Sequence, residues 1–448
     1  FAKPSTFGDP GEAIRHAADL LSNREKADLI VCLSHTGTAP GKRHSEDEAL
    51  ARAVPDLDVI VSGHTHTVLP RPIAIGKTLI VSAGSYGAWL GRLDLDYEQG
   101  TGAALAGYEL LPVTGDIPDD PALTSQISRY QREVERGYLA PYGGEFDRIV
   151  AESAFAMETL EAAYARPGET GIGDMITDAF RYAVQQAEGS RHEPIALAIE
   201  PLGVIRDSFL KGPLTVADIF RTLSLGLGTD GSPGYPLVAY YLTGRELKDL
   251  LEVETTISGV KHDAHLQLSG VRFSFNPHRI PLDRVTSVSV LSAQGVPEPL
   301  VPEKLYRVCM NYYTAQMVNY IRGVSYGLLS ITPRDREGRP VADLKQGIID
   351  ADAVAPGVQE IKEWVALATY LKSFPDRDGN GIPDIPARYE KPEGRFSPAP
   401  SWNPVKLIAG GNGITWGAIA IAALVIGPVL LLLRFVFCRL RRRLVRLP

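Results

Sequence analysis

Cysteine is scarce in this chain. Three occur in 448 residues, Cys32, Cys309 and Cys438, too few for the disulfide framework that staples small secreted domains. Surplus positive charge is missing as well. Lys and Arg total 46 against 53 Asp and Glu, for a net charge of −7. An acidic chain lacks the basic face that nucleic-acid binding needs. It still accommodates a small anionic substrate, because a bound cation would dominate the local field. No internal repeat is present, which excludes solenoids and propellers. Apolar content of 44% and charged content of 22% are those of globular protein. The length exceeds what one core supports, so two domains with appendages are expected.

Two stretches carry most of the chemical information. Ala27–Gly37 and Leu57–His66 are each a run of aliphatic and β-branched residues that stops at histidine. Such runs read as buried strands of a sheet covered on both faces. Ligands of α/β sheets collect beyond the carboxyl ends of strands. His35, His64 and His66 are therefore expected at one edge of one sheet. Gly63 allows a tight turn ahead of His64. Three neutral imidazoles so placed suit a transition metal such as Zn, Mn or Fe. The other histidines, His16, His44, His192, His262, His265 and His278, read as ordinary hydrogen-bonded residues.

At these residues the chain resembles the calcineurin-type metallophosphoesterases. Gly63–His66 is similar to that family's last metal motif, and Leu33–Gly37 to the one before it. The resemblance implies two divalent transition-metal ions, with His35 and His64 on one and His66 on the other. It also implies earlier motifs: an Asp-x-His, a Gly-Asp and an Asn-His-Asp/Glu. No Asn-His pair occurs in the chain, no Asp-x-His stands upstream of His35, and the Gly-Asp pairs at Gly8, Gly115 and Gly173 do not follow apolar runs. The chain thus reads as N-terminally truncated, with the catalytic residues expected in the part that is missing.

The second half resembles the C-terminal domain of the 5′-nucleotidases. Six segments carry the resemblance in order: Gly168–Arg181, Ile199–Ser208, Gly212–Phe220, Leu242–Glu252, Leu268–Phe273 and Tyr306–Val308. Asp174, Met175, Asp178 and Arg181 lie at helical spacing, with Met175, Ile176, Ala179 and Phe180 on one apolar stripe. The resemblance implies that this domain recognises a nucleoside, with aromatic rings stacking on the base and arginines gripping oxyanions. Arg206 and Tyr312 are the candidate substrate contacts. Arg206 can equally pair with Asp207 or Asp218. Tyr312 and Tyr313, if both lie in a strand, point to opposite faces. The first stacking turn of the family is replaced here by Leu223–Gly228 and an insertion, with no aromatic before Tyr235.

The remaining segments have their own signals. Asp376, Asp378, Asn380, Ile382 and Asp384, with Gly381 at the sixth position, make up most of a calcium loop. The twelfth position holds Ala387 in place of the usual Glu. Tyr389 to Gly413, rich in Pro and then Gly, reads as a stalk. Ile414 to Leu433 carries no charge, and at about 1.5 Å per residue it spans a hydrocarbon core of about 30 Å. Arg434, Arg439, Arg441, Arg442, Arg443 and Arg446 follow and belong on the cytoplasmic side. The expectation is a single-pass membrane protein whose bulk is periplasmic or at the cell surface, with Trp416 at the outer interface. Gly410–Gly413 leaves open a processed sorting tag.

The expected architecture is α/β: a partial metallophosphoesterase β-sandwich flanked by helices (1–115), a linking helix and connector (116–164), and an α+β 5′-nucleotidase C-terminal domain (165–372). The calcium-loop segment (373–388), stalk (389–413), transmembrane helix (414–433) and Arg-rich tail (434–448) follow. The expected function is metal-dependent hydrolysis of a phosphoester, with a nucleotide as substrate, no nucleic-acid partner, and contact with the membrane through the C-terminal helix. Two alternatives stay open. One is a membrane-anchored surface protein that binds ligand or calcium without hydrolysing anything. The other is a sister enzyme acting on cyclic nucleotides, nucleotide sugars or thiosulfonate-like groups.

Overall fold

The computed structural model describes residues 8–39, 45–99, 102–259, 261–292, 294–318, 330–352, 354–425 and 428. The chain divides into two compact units, 1–127 and 128–448.

The first unit is organised by a short sheet. Strands β1 (Val31–Ser34), β2 (Val59–Ser62), β3 (Ile73–Ile75) and β4 (Thr78–Val81) lie in the order β1-β2-β4-β3. The pairs β1/β2 and β2/β4 are parallel, and β3 returns antiparallel on β4. Helix α1 (Pro10–Asn23) starts as its sequence dictates: Asp9 caps it by accepting from the Glu12 N–H at 2.9 Å, and Pro10 fills the first turn. Helix α2 (Glu46–Ala53) connects β1 to β2. Ala18 of α1 and Ala51 of α2 pack with Ile30, Val54, Leu57, Ile60 and Ile80 as a small core. The opposite face is bare among the described residues. Leu33 is 83% exposed, and Val31 and Val61 are also exposed, so these strands are covered on one face and not on two. A long hairpin, β5 (Trp89–Glu98) with β6 (Gly102–Pro112), completes this unit. Among the described residues this unit has no sheet besides these two. A helix, α3 (Pro121–Val134), lies within the segment 116–164 read as a linking helix and connector.

The second unit holds two four-stranded sheets and a two-stranded ribbon. The ribbon pairs β7 (Ile149–Ser153) with β9 (Gly212–Thr215). One sheet runs β10-β15-β8-β11, from β8 (Leu197–Pro201), β10 (Leu237–Thr243), β11 (Leu266–Ser269) and β15 (Leu305–Asn311). The other runs β14-β13-β12-β16, from β12 (Val271–Phe275), β13 (Val285–Leu291), β14 (Pro297–Pro299) and β16 (Phe396–Pro398). After a short helix α4 (Leu160–Ala165), helix α5 (Gly171–Glu188) buries its expected stripe, Met175, Ile176, Ala179 and Phe180, completely. Thr170 caps it. Capping boxes start helices Val216–Thr222, from Thr215 and Asp218, and Gly244–Ile257, from Thr243 and Glu246.

The segment 389–413 is part of this unit's fold, where its composition suggested a free stalk. Tyr389 is fully buried, and its hydroxyl donates to Asp178 at 2.9 Å. Arg395, 5% exposed, reaches Asp174 at 3.3 Å, Asp178 at 2.8 Å and Glu393 at 3.1 Å. Phe396 begins the parallel strand β16 on β12. Further on, Arg279 donates to the carbonyls of Lys406 at 3.1 Å and Ala409 at 2.8 Å, and Thr415 donates to Asp283. The apparent linker is held by charges that local composition does not reveal.

A helix covers 413–425. Ile421, Leu424 and Val425 are exposed on it. No helix among the described residues is long and apolar enough to cross a membrane. The expected span 414–433 lies, beyond 425 and apart from Pro428, outside the described residues, as does the arginine tail 434–448.

Candidate functional site

The strand-end histidines are placed by sheet register. Ser34 and Ser62 are the last residues of β1 and β2 and face each other in the parallel ladder. His35 follows the first and Gly63-His64 the second. The imidazoles of His35 and His64 come together, with ring centroids 5.2 Å apart. Gly63 makes this approach possible, because a Cβ there would lie 2.9 Å from His35 Nδ1. His64 and His66 both adopt left-handed backbone, with φ of 61° and 53°. Such residues cost about 1–3 kcal/mol each and concentrate at functional sites. The His66 ring meets Tyr86 edge-on, with centroids 5.7 Å apart.

Hydroxyl groups tie the two histidine loops together. The Thr38 carbonyl accepts from Thr65 Oγ1 at 2.8 Å and Thr67 Oγ1 at 2.7 Å, and the Thr38 N–H donates to Thr65 Oγ1 at 3.2 Å. Gly37 is required for this clasp, since a Cβ there would lie 2.4 Å from Thr65 Cγ2. Two exposed imidazoles on a strained, braced rim are of the type that could ligate a borderline transition metal.

In the second unit the two candidate contacts are Arg206 and Tyr312. The Arg206 guanidinium donates to the Gly203 carbonyl at 3.4 Å. Asp207 and Asp218 are both engaged by Arg221. Tyr312 packs against the core beside the β10/β15 sheet. Its neighbour Tyr313 stacks on Tyr235, with centroids 5.5 Å apart and planes at 22°. The backbone of Gly226 lies against the Tyr235 ring, leaving no room for a side chain: a Cβ there would be 2.1 Å from a ring carbon. From the sequence, Tyr313 is expected only as Tyr312's neighbour on the opposite face of a strand. The chain leaves β15 at Asn311 and enters a helix at Tyr312, so strand alternation does not apply there.

Beneath this stacked pair lies a buried carboxyl couple. Asn311 Nδ2 donates to both Glu200 oxygens at 3.0 Å and to Glu363 at 3.1 Å. Both glutamates are fully buried. Burial, and then the neighbouring Glu363, pushes the Glu200 carboxyl well above the usual range; burial does the same to Glu363. Like charges so placed disfavour double ionisation, so the couple favours holding a proton.

Asp376, Asp378 and Asp384 form a group whose carboxylate oxygens lie within 4.8 Å of one another. In this conformation they cap their own loop. Asp376 accepts from Gly379 at 2.7 Å and Gly381 at 2.8 Å, Asp378 from Asn380 at 3.0 Å, and Asp384 from Arg377 at 2.6 Å. The N–H groups of Gly381 and Gly379 hold the Asp376 carboxyl below its ordinary value. Asn380 Oδ1 accepts from Ile382 at 2.8 Å, while its amide donates to Glu152 at 2.7 Å.

Comparison with known proteins follows the same division. Residues 150–319 match the family model described as 5′-nucleotidase, C-terminal domain. The trifunctional nucleotide phosphoesterase protein YfkN of Bacillus subtilis is 24% identical over 318 residues, covering 69% of this chain and 20% of that protein. A 5′-nucleotidase of Diplobatis ommata is 26% identical over 335 residues, covering 69% of this chain and 54% of that protein. The chain therefore spans about half the length, or less, of these curated relatives. In fold it is similar to a 5′-nucleotidase precursor from Thermus thermophilus, with a TM-score of 0.57 at 24% identity over 88% of this chain and 68% of that one. The sulfate thiohydrolase SoxB of the same organism gives 0.51 at 20% identity, over 87% and 60%. Residues 150–319 are thus similar to the C-terminal domain of 5′-nucleotidases, and the likeness to nucleotide phosphoesterases extends beyond them.

Proposed function

We propose that this chain belongs to a metal-dependent phosphoester hydrolase that converts a nucleotide to a nucleoside and phosphate. The observation that carries the reading is the His35–His64 pair, 5.2 Å apart at two adjacent parallel strand ends, in a chain whose residues 150–319 are similar to the C-terminal domain of 5′-nucleotidases. His35 and His64 would hold one divalent ion. His66, turned toward Tyr86, would serve a second. Such ions activate water and stabilise charge on phosphorus during in-line displacement. On the second unit, Tyr235 and Tyr313 are the rings suited to a base and Arg206 the cation suited to an oxyanion.

The test is phosphate release from AMP, a cyclic nucleotide and UDP-glucose in Mn2+, with the full-length protein. AMP turnover is expected, falling to background in His35→Ala and His64→Ala. Wild-type protein that releases no phosphate from any of the three would overturn the hydrolase reading. It would leave the ligand-binding alternative.

We also propose that Asp376, Asp378, Asn380, Asp384 and the Ile382 carbonyl take a calcium ion, by rearranging the carboxylates that now cap the loop. Calcium is expected to raise the melting temperature of the wild type and leave Asp376→Ala unmoved. Equal shifts in both would refute it.

A further inference from the structure

The Asp47 carboxylate is fully buried in the first turn of α2, directly behind the histidine rim. It accepts three hydroxyl hydrogen bonds. Oδ1 takes Ser34 Oγ at 2.5 Å and Thr36 Oγ1 at 2.7 Å; Oδ2 takes Ser62 Oγ at 2.5 Å. Its backbone N–H donates to the Gly37 carbonyl at 3.1 Å. Ser34 and Thr36 flank His35. Ser62 precedes Gly63-His64, and Ser34 and Ser62 are register partners. One carboxylate therefore grips both strand ends at the point where each chain turns out to present its imidazole.

A buried carboxylate costs several kcal/mol unless hydrogen bonds replace its water. Three hydroxyls and the amino end of α2 meet that cost. A sheet edge of this size needs no buried charge to hold together, since the β1/β2 ladder and the small core already do so. What the carboxylate adds is a fixed spacing between the two residues in front of it, and negative charge behind a pair of imidazoles.

We infer that Asp47 is a positioning residue: through Ser34, Thr36 and Ser62 it sets the separation and orientation of His35 and His64 for a shared divalent cation. This rests on reading those histidines as metal ligands. Asp47 does not touch the ion. Outer groups that orient ligands in this way typically change metal affinity by about 10–100-fold when removed.

The experiment uses Mn2+ alone as the probe and reads paramagnetic broadening of the imidazole Cε1–H signals in the full chain. His35→Ala and His64→Ala assign the two resonances. In the wild type, these two signals are expected to broaden together at the lowest Mn2+ concentration of all the histidines. In Asp47→Ala, the concentration needed should rise by about 10-fold or more, and the two signals should no longer broaden in step. Asp47→Asn should restore most of the effect. Its amide keeps an acceptor for Ser34 and Thr36, and Ser62 can reverse its hydroxyl to accept from the amide nitrogen. Circular dichroism establishes that each variant is folded. If the alanine variant is not, Ser34→Ala and Ser62→Ala each remove one spoke and carry the same expectation. Unchanged joint broadening in folded Asp47→Ala overturns this inference and leaves the metal reading standing. Wild-type protein in which neither signal broadens selectively overturns the metal reading, and this inference with it.

Discussion

Arg395→Met is expected to destabilise the second unit by about 3–5 kcal/mol, the usual cost of removing one partner from a buried ion cluster. The methionine keeps most of the apolar stem packing, so the loss isolates the charge. Without the guanidinium, Asp174 has no cation in its fully buried site, and Asp178 and Glu393 lose their shared partner. The effect should depend on pH. Burial pushes the Asp174 carboxyl up to about 8; Arg395 opposes this and Glu169 adds to it. The ordinary value is 3.8, so the folded state binds more protons than the unfolded state between the two. Stability from this group is full at acid pH and is lost as pH rises toward about 8. Removing Arg395 raises this carboxyl further, so the trend continues above about pH 8 in the variant where it levels off in the wild type. The urea midpoint of the variant should lie below the wild type throughout, and the gap should widen as pH rises beyond about 8. Equal midpoints at pH 8 would show that the 389–396 segment is not docked.

Gly171→Ala tests the same docking by steric means. The glycine opens α5, where alanine would ordinarily favour the helix by about 1 kcal/mol. Here an added Cβ would lie 2.0 Å from the Tyr389 carbonyl oxygen. The contact is with backbone, so no rotamer can relieve it. A net loss of about 1–3 kcal/mol is expected in thermal or urea unfolding, the range for overpacking a filled site. Gly137→Ala, which meets nothing within 4 Å, is the control and should cost nothing comparable. A stabilised Gly171→Ala would mean that Tyr389 does not press on this helix.

Much of this architecture was legible in the residues. The apolar runs ending at His35 and His64 gave strands, and parallel pairing brought those two imidazoles together. The stripe of Met175, Ile176, Ala179 and Phe180 gave α5 and its buried face. What was not legible depends on partners far away in the chain. Pro and Gly between Tyr389 and Gly413 describe local backbone stiffness and say nothing of an arginine that pairs across the fold. Tyr313 was obscured because the chain changes from strand to helix between Asn311 and Tyr312. Asp47 was obscured for another reason. It sits between Glu46 and Glu48 at a helix start, where acids are expected merely to complement the dipole. Only the register of Ser34 with Ser62 shows what that carboxylate holds.

The reach of Arg395 has a consequence for biosynthesis. Asp174 leaves the ribosome 221 residues before the arginine that neutralises it, and strand β12 before the β16 partner that completes its sheet. At typical translation rates of about 5–20 residues per second, the nascent unit waits tens of seconds or less with its central helix charged and one sheet edge open. During that interval it is a natural client for a chaperone, and a ribosome stalled before residue 395 would display a soft, protease-sensitive intermediate in place of a finished domain.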